Sequence, residues 1–379
     1  MASVERYMVD LPGYGHAEAR LITASAREQP LPPRDRLALA AAVRDWSRLV
    51  ALAERHGVLA YVQRALGEVP IVPDTARHAL QEGLTAVVVR QAVLDGELRR
   101  VLRDLGAAGV PVIVLKGPAL ARTLYPSAAF RPYSDLDLVV PEACAERAVA
   151  ALTAAGWCEV PFAAEVARRG HVCPGLDAPY HRVFQTADGR AVVELHLEPL
   201  QLGLRPACEG ERWRRAVPAP GLPGALMLGP DDQLVHLCVH AQKHGYSRLI
   251  WLKDIDLLFR LWGRRLDWQL VESVAAREGV GASLWYGLRL ARRLLGTPVP
   301  AGALRRLRPR HPGVRLLYRL VWPERRIAGL RGHMRRRAVQ LHVAESWRGV
   351  LPGLVLMGRH RTRARIALRL LLGRLAGAQ

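Results

Sequence analysis

What most limits the folds open to this chain is a pair of short segments in its middle, Val110-Pro111-Val112-Ile113-Val114-Leu115 and Asp135-Leu136-Asp137-Leu138-Val139-Val140. The first is apolar, rich in β-branched residues and bounded by Gly109 and Gly117, which suits a buried strand. The second alternates polar and apolar residues, the period of a strand with one face buried, so Asp135 and Asp137 point the same way. Between them Pro118 to Leu124 reads as a brief helix. It ends at Tyr125-Pro126, because a residue before proline disfavours helical dihedrals. The helix-like stretch from Pro141 to Gly156 completes a strand, helix, strand, helix order.

The first 95 residues read as helices, with Leu39, Val43, Trp46, Leu49, Val50 and Ala53 recurring every three to four positions as core. A linker, GEVPIVPD, precedes a second helical run that places Leu98, Val101, Leu102 and Leu105 on one face and has Gly106 as its stop signal. Further on, YHRVFQ and AVVELHLEPL flank an Asp188-Gly189 turn and predict a β-hairpin. In its second strand Glu194, His196 and Glu198 share one face, opposite Val193, Leu195 and Leu197. Pro230 with Asp231 and Asp232 opens another helix and Gly245 stops it. On that helix His236, His240, Lys243 and His244 form one continuous face.

Composition excludes several classes. The longest charge-free stretch, Ala216 to Pro230, contains four prolines, far from the roughly 18 to 20 apolar residues of a membrane span. Glu5 and Arg6 interrupt the N-terminus, which does not read as a secretory signal. Cys144, Cys158, Cys173, Cys208 and Cys238 are odd in number and never closer than 14 residues, against a metal knuckle and against a disulfide framework. A reduced, cytoplasmic protein is expected. The chain has 52 arginines but only three lysines, Lys116, Lys243 and Lys253, and no asparagine, the imprint of a GC-rich genome. Lysine is a compact, mobile point charge, so one that survives such pressure is a candidate for a role arginine cannot fill. The net charge of +21 is concentrated: residues 301 to 379 hold 19 Arg and two acids, or +17. Leucines recur at helical spacing in this tail, and a basic amphipathic helix docks on RNA, anionic lipid or an acidic partner, or merely caps the fold.

Two carboxylates one residue apart on a strand repel unless a positive charge lies between them, and a divalent metal commonly supplies it. Mg²⁺ takes one or two carboxylates plus substrate phosphates, so Asp135 and Asp137 suit phosphoryl chemistry. Lys116-Gly117 ends one strand and opens a helix, where unpaired amides attract phosphate. Arg131, four residues before Asp135, brings a cation to the same end. Each has a plainer reading: a solvent-facing strand edge, a simple turn, one arginine among many. The histidines also fit a buried, hydrogen-bonded stripe, and Lys253 a salt bridge with Asp254 or Asp256.

With Leu115-Lys116-Gly117, Tyr125, Arg131 and Ser134-Asp135-Leu136-Asp137-Leu138-Val139, the segment from about 95 to 260 resembles the DNA polymerase β-type nucleotidyltransferase superfamily, specifically its poorly characterised bacterial branch. The resemblance implies Gly117 as the phosphate loop, Asp135 and Asp137 as ligands of Mg²⁺ or Mn²⁺, and Glu194 as a third carboxylate that joins the metal and helps activate the acceptor hydroxyl. Pro118 stands where Ser or Gly is usual, with Lys116 next to it as a substitute donor.

The expectation is an α+β enzyme: an N-terminal helical region (1–95), a nucleotidyltransferase-like mixed-sheet core (96–205), a helical region completing the site (206–300) and an Arg-rich helical C-terminus (301–379). It would move a nucleoside monophosphate from an NTP, ATP among them, to an acceptor hydroxyl with release of pyrophosphate. Asp135, Asp137 and Glu194 would be catalytic and metal-binding; Lys116, Gly117, Arg131 and Lys243 would bind nucleotide; His196, His236, His240 and His244 are candidates for substrate binding. The acceptor stays open among small alcohol, sugar, antibiotic, peptide and RNA. The alternative is a non-catalytic relative that uses its Arg-rich tail to bind RNA, lipid or a partner protein.

Overall fold

One long helix joins two apolar cores. The computed structural model describes residues 16–161, 181–197, 199–200, 209–244 and 246–309. Its N-terminal helices are α1 (His16–Ser25), α2 (Pro33–Ala41), α3 (Trp46–His56) and α4 (Leu59–Leu66). The helical run carrying Leu39 to Ala53 is thus divided, for local reasons. The Asp45 side chain accepts the Arg48 N–H to start α3, and Gly57, at φ 71°, closes it in the left-handed conformation.

Helix α5 (Asp74–Ala107) follows the expected linker and runs for 34 residues, so the boundary drawn at residue 95 falls inside a continuous helix. Its early residues Ala76 and Leu80 belong to the helical core. Leu94, Leu98, Val101 and Leu105 belong to the sheet core. The helix passes Gly106 by one residue, and Gly109, at φ 64°, makes the turn into the sheet.

That sheet comprises β1 (Val112–Val114), β2 (Leu136–Val139), β3 (Cys158–Val160), β4 (His181–Gln185), β5 (Val192–His196), β6 (Val217–Pro218) and β7 (Ala225–Met227), in the order β3-β4-β5-β2-β1-β7-β6. The β2–β5 and β1–β7 pairs are parallel and the others antiparallel, which makes the sheet mixed. The predicted hairpin is β4–β5, with Gly189 at φ 68° in its turn. Helices α6 (Lys116–Thr123) and α7 (Ala145–Ala154) connect β1 to β2 and β2 to β3. Strand β2 departs from the one-face expectation, since all four of its residues are buried. It is a central strand. Leu136 and Leu138 pack into the core shared with α5 and α7, while Val139 packs on the other side with Ile113, Leu115 and Leu228.

After α8 (Glu209–Arg215) the described residues continue through α9 (Pro230–Lys243), α10 (Leu249–Trp262), α11 (Trp268–Arg277), α12 (Gly281–Leu295) and α13 (Ala301–Arg306). Residues of α1 to α4 and of α9 to α12 share one core, so the two flanking helical regions pack into a single helical body. Among the described residues no helix is long and apolar enough to cross a membrane. The arginine-rich tail beyond residue 309, Glu198 and Cys173 lie outside the described residues.

Candidate active site

Strand register builds the site. Strands β2 and β5 run parallel with Asp137 opposite Glu194 and Val139 opposite His196. Glu194 and His196, two residues apart on β5, therefore share a face with Asp137. One ligand atom from each of Asp137, Glu194 and His196 lies within 4.8 Å of the others. Nε2 of His196 is 2.9 Å from Oδ1 of Asp137 and 3.6 Å from Oε2 of Glu194. The shorter contact fixes the tautomer, because a carboxylate only accepts and Nε2 must carry the proton.

Lys116 arrives from the other side. Strand β1 is antiparallel to β2, and the Leu115 N–H donates to the Asp137 carbonyl at 2.9 Å, which sets the next residue beside the acidic pair. Lys116 then takes φ 43°, one of two non-glycine residues with positive φ among the described residues. That backbone costs about 1–2 kcal/mol. The strained turn delivers Nζ to 2.8 Å from Oδ1 of Asp137.

The charges sort accordingly. Burial opposes ionisation of Asp137, but the Lys116 ammonium and the hydrogen bond from His196 outweigh it and hold the carboxyl well below the usual range. Asp135, half-buried and one residue before β2, goes the other way. Burial and the Asp137 and Glu194 carboxylates push it up to about 6, against Lys116 and Arg131. Burial opposes the charge on Lys116, yet Asp137, Asp135 and Glu194 together raise its pKa. Burial lowers His196 despite Asp137. Carboxylates driven apart in pKa beside a buried cation are a common property of catalytic sites.

The remaining candidates fall at different distances from this cluster. Gly117 is buried in the first turn of α6, and a Cβ there would lie 2.4 Å from Cβ of Tyr133, so close packing demands the glycine. Arg131 is fully engaged: Nε and Nη2 donate to the two carboxylate oxygens of Asp254 at 2.6 and 2.7 Å, and Nη1 to the Pro132 carbonyl. The Tyr125 hydroxyl donates to Asp254 as well, at 2.6 Å. This buried triad ties the loop before Asp135 to α10. Lys253 is likewise structural, donating to Asp256 at 3.0 Å and Glu28 at 2.9 Å, which agrees with the salt-bridge reading.

Helix α9 brings its histidines in a row. The rings of His236 and His240 stack at 6.2 Å, His240 and His244 meet edge-on at 4.7 Å, and Trp251 of α10 closes on both. Of the three, His236 reaches the acidic cluster. It is 1% exposed, and burial with the Lys116 ammonium pushes its pKa down to about 3. Neither ring nitrogen has a partner within hydrogen-bond distance among the described residues, although the Pro199 backbone lies close by. The side chain of Lys243, the last residue of α9, is outside the described atoms. Sequence reading did not single out Arg248, which stands at the start of α10 and feels Arg131, Asp135 and Asp254. Its only sequence signal would have been its place between the His-bearing helix and Trp251.

Two carboxylates within reach of one point, joined by the His196 imidazole when its proton sits on Nδ1 instead, are a donor set that fits a divalent cation, oxygen-rich enough for Mg²⁺ and with a nitrogen that suits Mn²⁺. A family model described as an uncharacterised nucleotidyltransferase matches residues 42–296, spanning α3 through the end of α12 and including every residue of the cluster. No curated protein matches the chain.

Proposed function

Because the chain belongs to this family of uncharacterised nucleotidyltransferases, we propose that it transfers a nucleoside monophosphate from an NTP to an acceptor hydroxyl. The hydroxyl oxygen attacks the α-phosphorus, the bond from that phosphorus to the bridging oxygen breaks, and pyrophosphate leaves. The observation that carries this reading is the pairing of Asp137 with Glu194 across two parallel strands, with Lys116 and His196 on the same carboxylate.

Asp137 and Glu194, with Asp135 beside them, are the residues that would hold Mg²⁺ or Mn²⁺. Such a cation, when bound, neutralises phosphate charge and favours in-line displacement. Glu194 positions the acceptor and receives its proton. Lys116 and the amides that open α6 face the phosphates, where a positive point charge and unpaired N–H groups are most effective. His196 fixes the Asp137 carboxylate. Catalysis in such a site is chiefly positioning and charge neutralisation.

A second reading has its own support. Lys116 already provides Asp137 with a counter-charge, which is what a relative that has lost metal chemistry would keep. One experiment separates the two. The full chain is incubated with each α-labelled NTP, Mg²⁺ or Mn²⁺ and a lysate of the source cell, beside Asp137→Asn. A labelled product that the variant abolishes establishes transfer. Failure of every NTP, together with no metal-dependent NTP binding, would leave the non-catalytic reading standing.

A further inference from the structure

Five cationic or potentially cationic side chains, Lys116, Arg131, Arg248, His196 and His236, lie around the acidic cluster; burial and the Lys116 ammonium hold His236 neutral, and three of the other four have their partners accounted for. The Lys116 ammonium is on Asp137, His196 donates to the same oxygen, and all three nitrogens of the Arg131 guanidinium donate to Asp254 or Pro132. Arg248 is the exception. Its Nε is buried with no hydrogen-bond partner, and among the described residues its guanidinium makes neither a hydrogen bond nor an ion pair. The guanidinium carbon lies 5.9 Å from the centre of the Trp251 ring, a cation–π contact that satisfies no N–H donor.

An Nε left so is costly, because its N–H has left bulk water without a replacement acceptor while the side chain as a whole is only partly buried. The fold nevertheless makes room for it. Gly57, left-handed at φ 71°, has no side chain where Nη2 of Arg248 sits, and a Cβ there would lie 3.1 Å from that nitrogen. The neighbouring charges define which ligand suits the guanidinium. Arg131 repels it, while Asp135 and Asp254 attract it, but Asp254 already accepts three hydrogen bonds from Arg131 and Tyr125. Asp135 belongs to the acidic cluster. A planar, doubly donating fork at the edge of a carboxylate site that handles phosphates matches a bidentate oxyanion.

We propose that Arg248 is the oxyanion-binding residue of this site and takes a phosphate of the nucleotide's polyphosphate chain, the role that the sequence alone assigned to Arg131. The assignment rests on the nucleotidyl-transfer reading for the identity of the oxyanion. A phosphate on the acceptor would offer the same chemistry, so the test includes both sources.

The test is calorimetric titration of the full chain, with Mg²⁺ present, using inorganic tripolyphosphate in one arm and a 5′-phosphorylated dinucleotide in the other. Wild type, Arg248→Gln and Arg248→Lys are compared at matched thermal midpoints. Arg248→Gln is expected to weaken tripolyphosphate roughly 10- to 100-fold, the scale of a lost charge-assisted pair. Arg248→Lys should recover only part of it, because an ammonium lacks the fork. In a transfer assay the KM for NTP should rise by the same factor with kcat little changed. An unchanged tripolyphosphate affinity in Arg248→Gln, no binding by wild type, or a loss confined to the dinucleotide would each overturn the proposal. The two readings fail separately. Arg248-dependent tripolyphosphate binding without any transfer sinks the reaction and keeps the subsite, whereas transfer with an unaltered KM in Arg248→Gln does the reverse.

Discussion

Nζ of Lys116 lies 2.8 Å from Oδ1 of Asp137, deep enough that the carboxylate is 2% exposed. The ammonium therefore stands where a cation is needed. Removing it in Lys116→Met leaves a buried carboxylate with only a neutral imidazole beside it, a change that costs about 3–5 kcal/mol in comparable buried pairs. Millimolar Mn²⁺ should restore more stability to Lys116→Met than it adds to wild type, since the ion then supplies the missing charge. Urea unfolding of both proteins in EDTA and in Mn²⁺ measures the difference. An equal metal response in the two would remove the idea that ammonium and metal share Asp137.

Gly117 makes a second, purely steric prediction. A Cβ at this position would meet Cβ of Tyr133 at 2.4 Å and Cγ at 2.7 Å, and both β-carbons are tied to backbone, so neither can swing aside. Gly117→Ala should lose about 1–3 kcal/mol, the range for overpacking a filled core. Urea midpoints check it, and a variant as stable as wild type would show that the α6 start can shift freely against the loop before β2.

How far this was readable from the sequence depends on the range of each interaction. The strands announced themselves through period-2 alternation at Asp135 to Val140 and the Asp188-Gly189 turn, both local signals. That Glu194 and His196 share a face was equally local. Their meeting with Asp137 was not, because the β2–β5 register is set by pairing across 57 residues, from Asp137 to Glu194. Arg131 was read as a phosphate ligand, but its engagement by Asp254, 123 residues away, has no local trace. Arg248 is the converse case. Its unpartnered Nε, a feature Arg36 shares, depends on packing and leaves no trace among 52 arginines in the sequence.

The Arg131–Asp254 pair supports a prediction that separates packing from ligand binding. Both side chains are buried, at 5% and 0% exposure, so truncating one leaves a charge without compensation. Arg131→Met should destabilise by about 3–5 kcal/mol, and the double variant with Asp254→Leu should recover much of this because both charges are gone. Chemical denaturation of the four members of the cycle gives the coupling. If Arg131→Met kept wild-type stability and only raised the KM for NTP, Arg131 would return as the phosphate ligand and the case for Arg248 would weaken.

The fourth prediction concerns pH and lies away from the acidic cluster. His56, at the end of α3, accepts the Leu249 N–H on Nδ1 at 3.2 Å and joins the N-terminal helices to α10. Burial, with Arg55 and Arg248 adding, pushes its pKa down to about 4. In the unfolded chain it returns to about 6.5. Between those values the unfolded state binds the extra proton, so this contribution is whole above about pH 6.5 and is lost as pH falls toward 4. The loss between pH 7 and pH 5 is on the order of 2 kcal/mol. His56→Gln keeps an acceptor without a titrating group, and its stability should fall less over that interval by the same amount. His236, also lowered, remains in both proteins, so the difference between their urea midpoints at the two pH values isolates His56. Parallel curves would mean that His56 can take up its proton without disturbing the junction between α3 and α10.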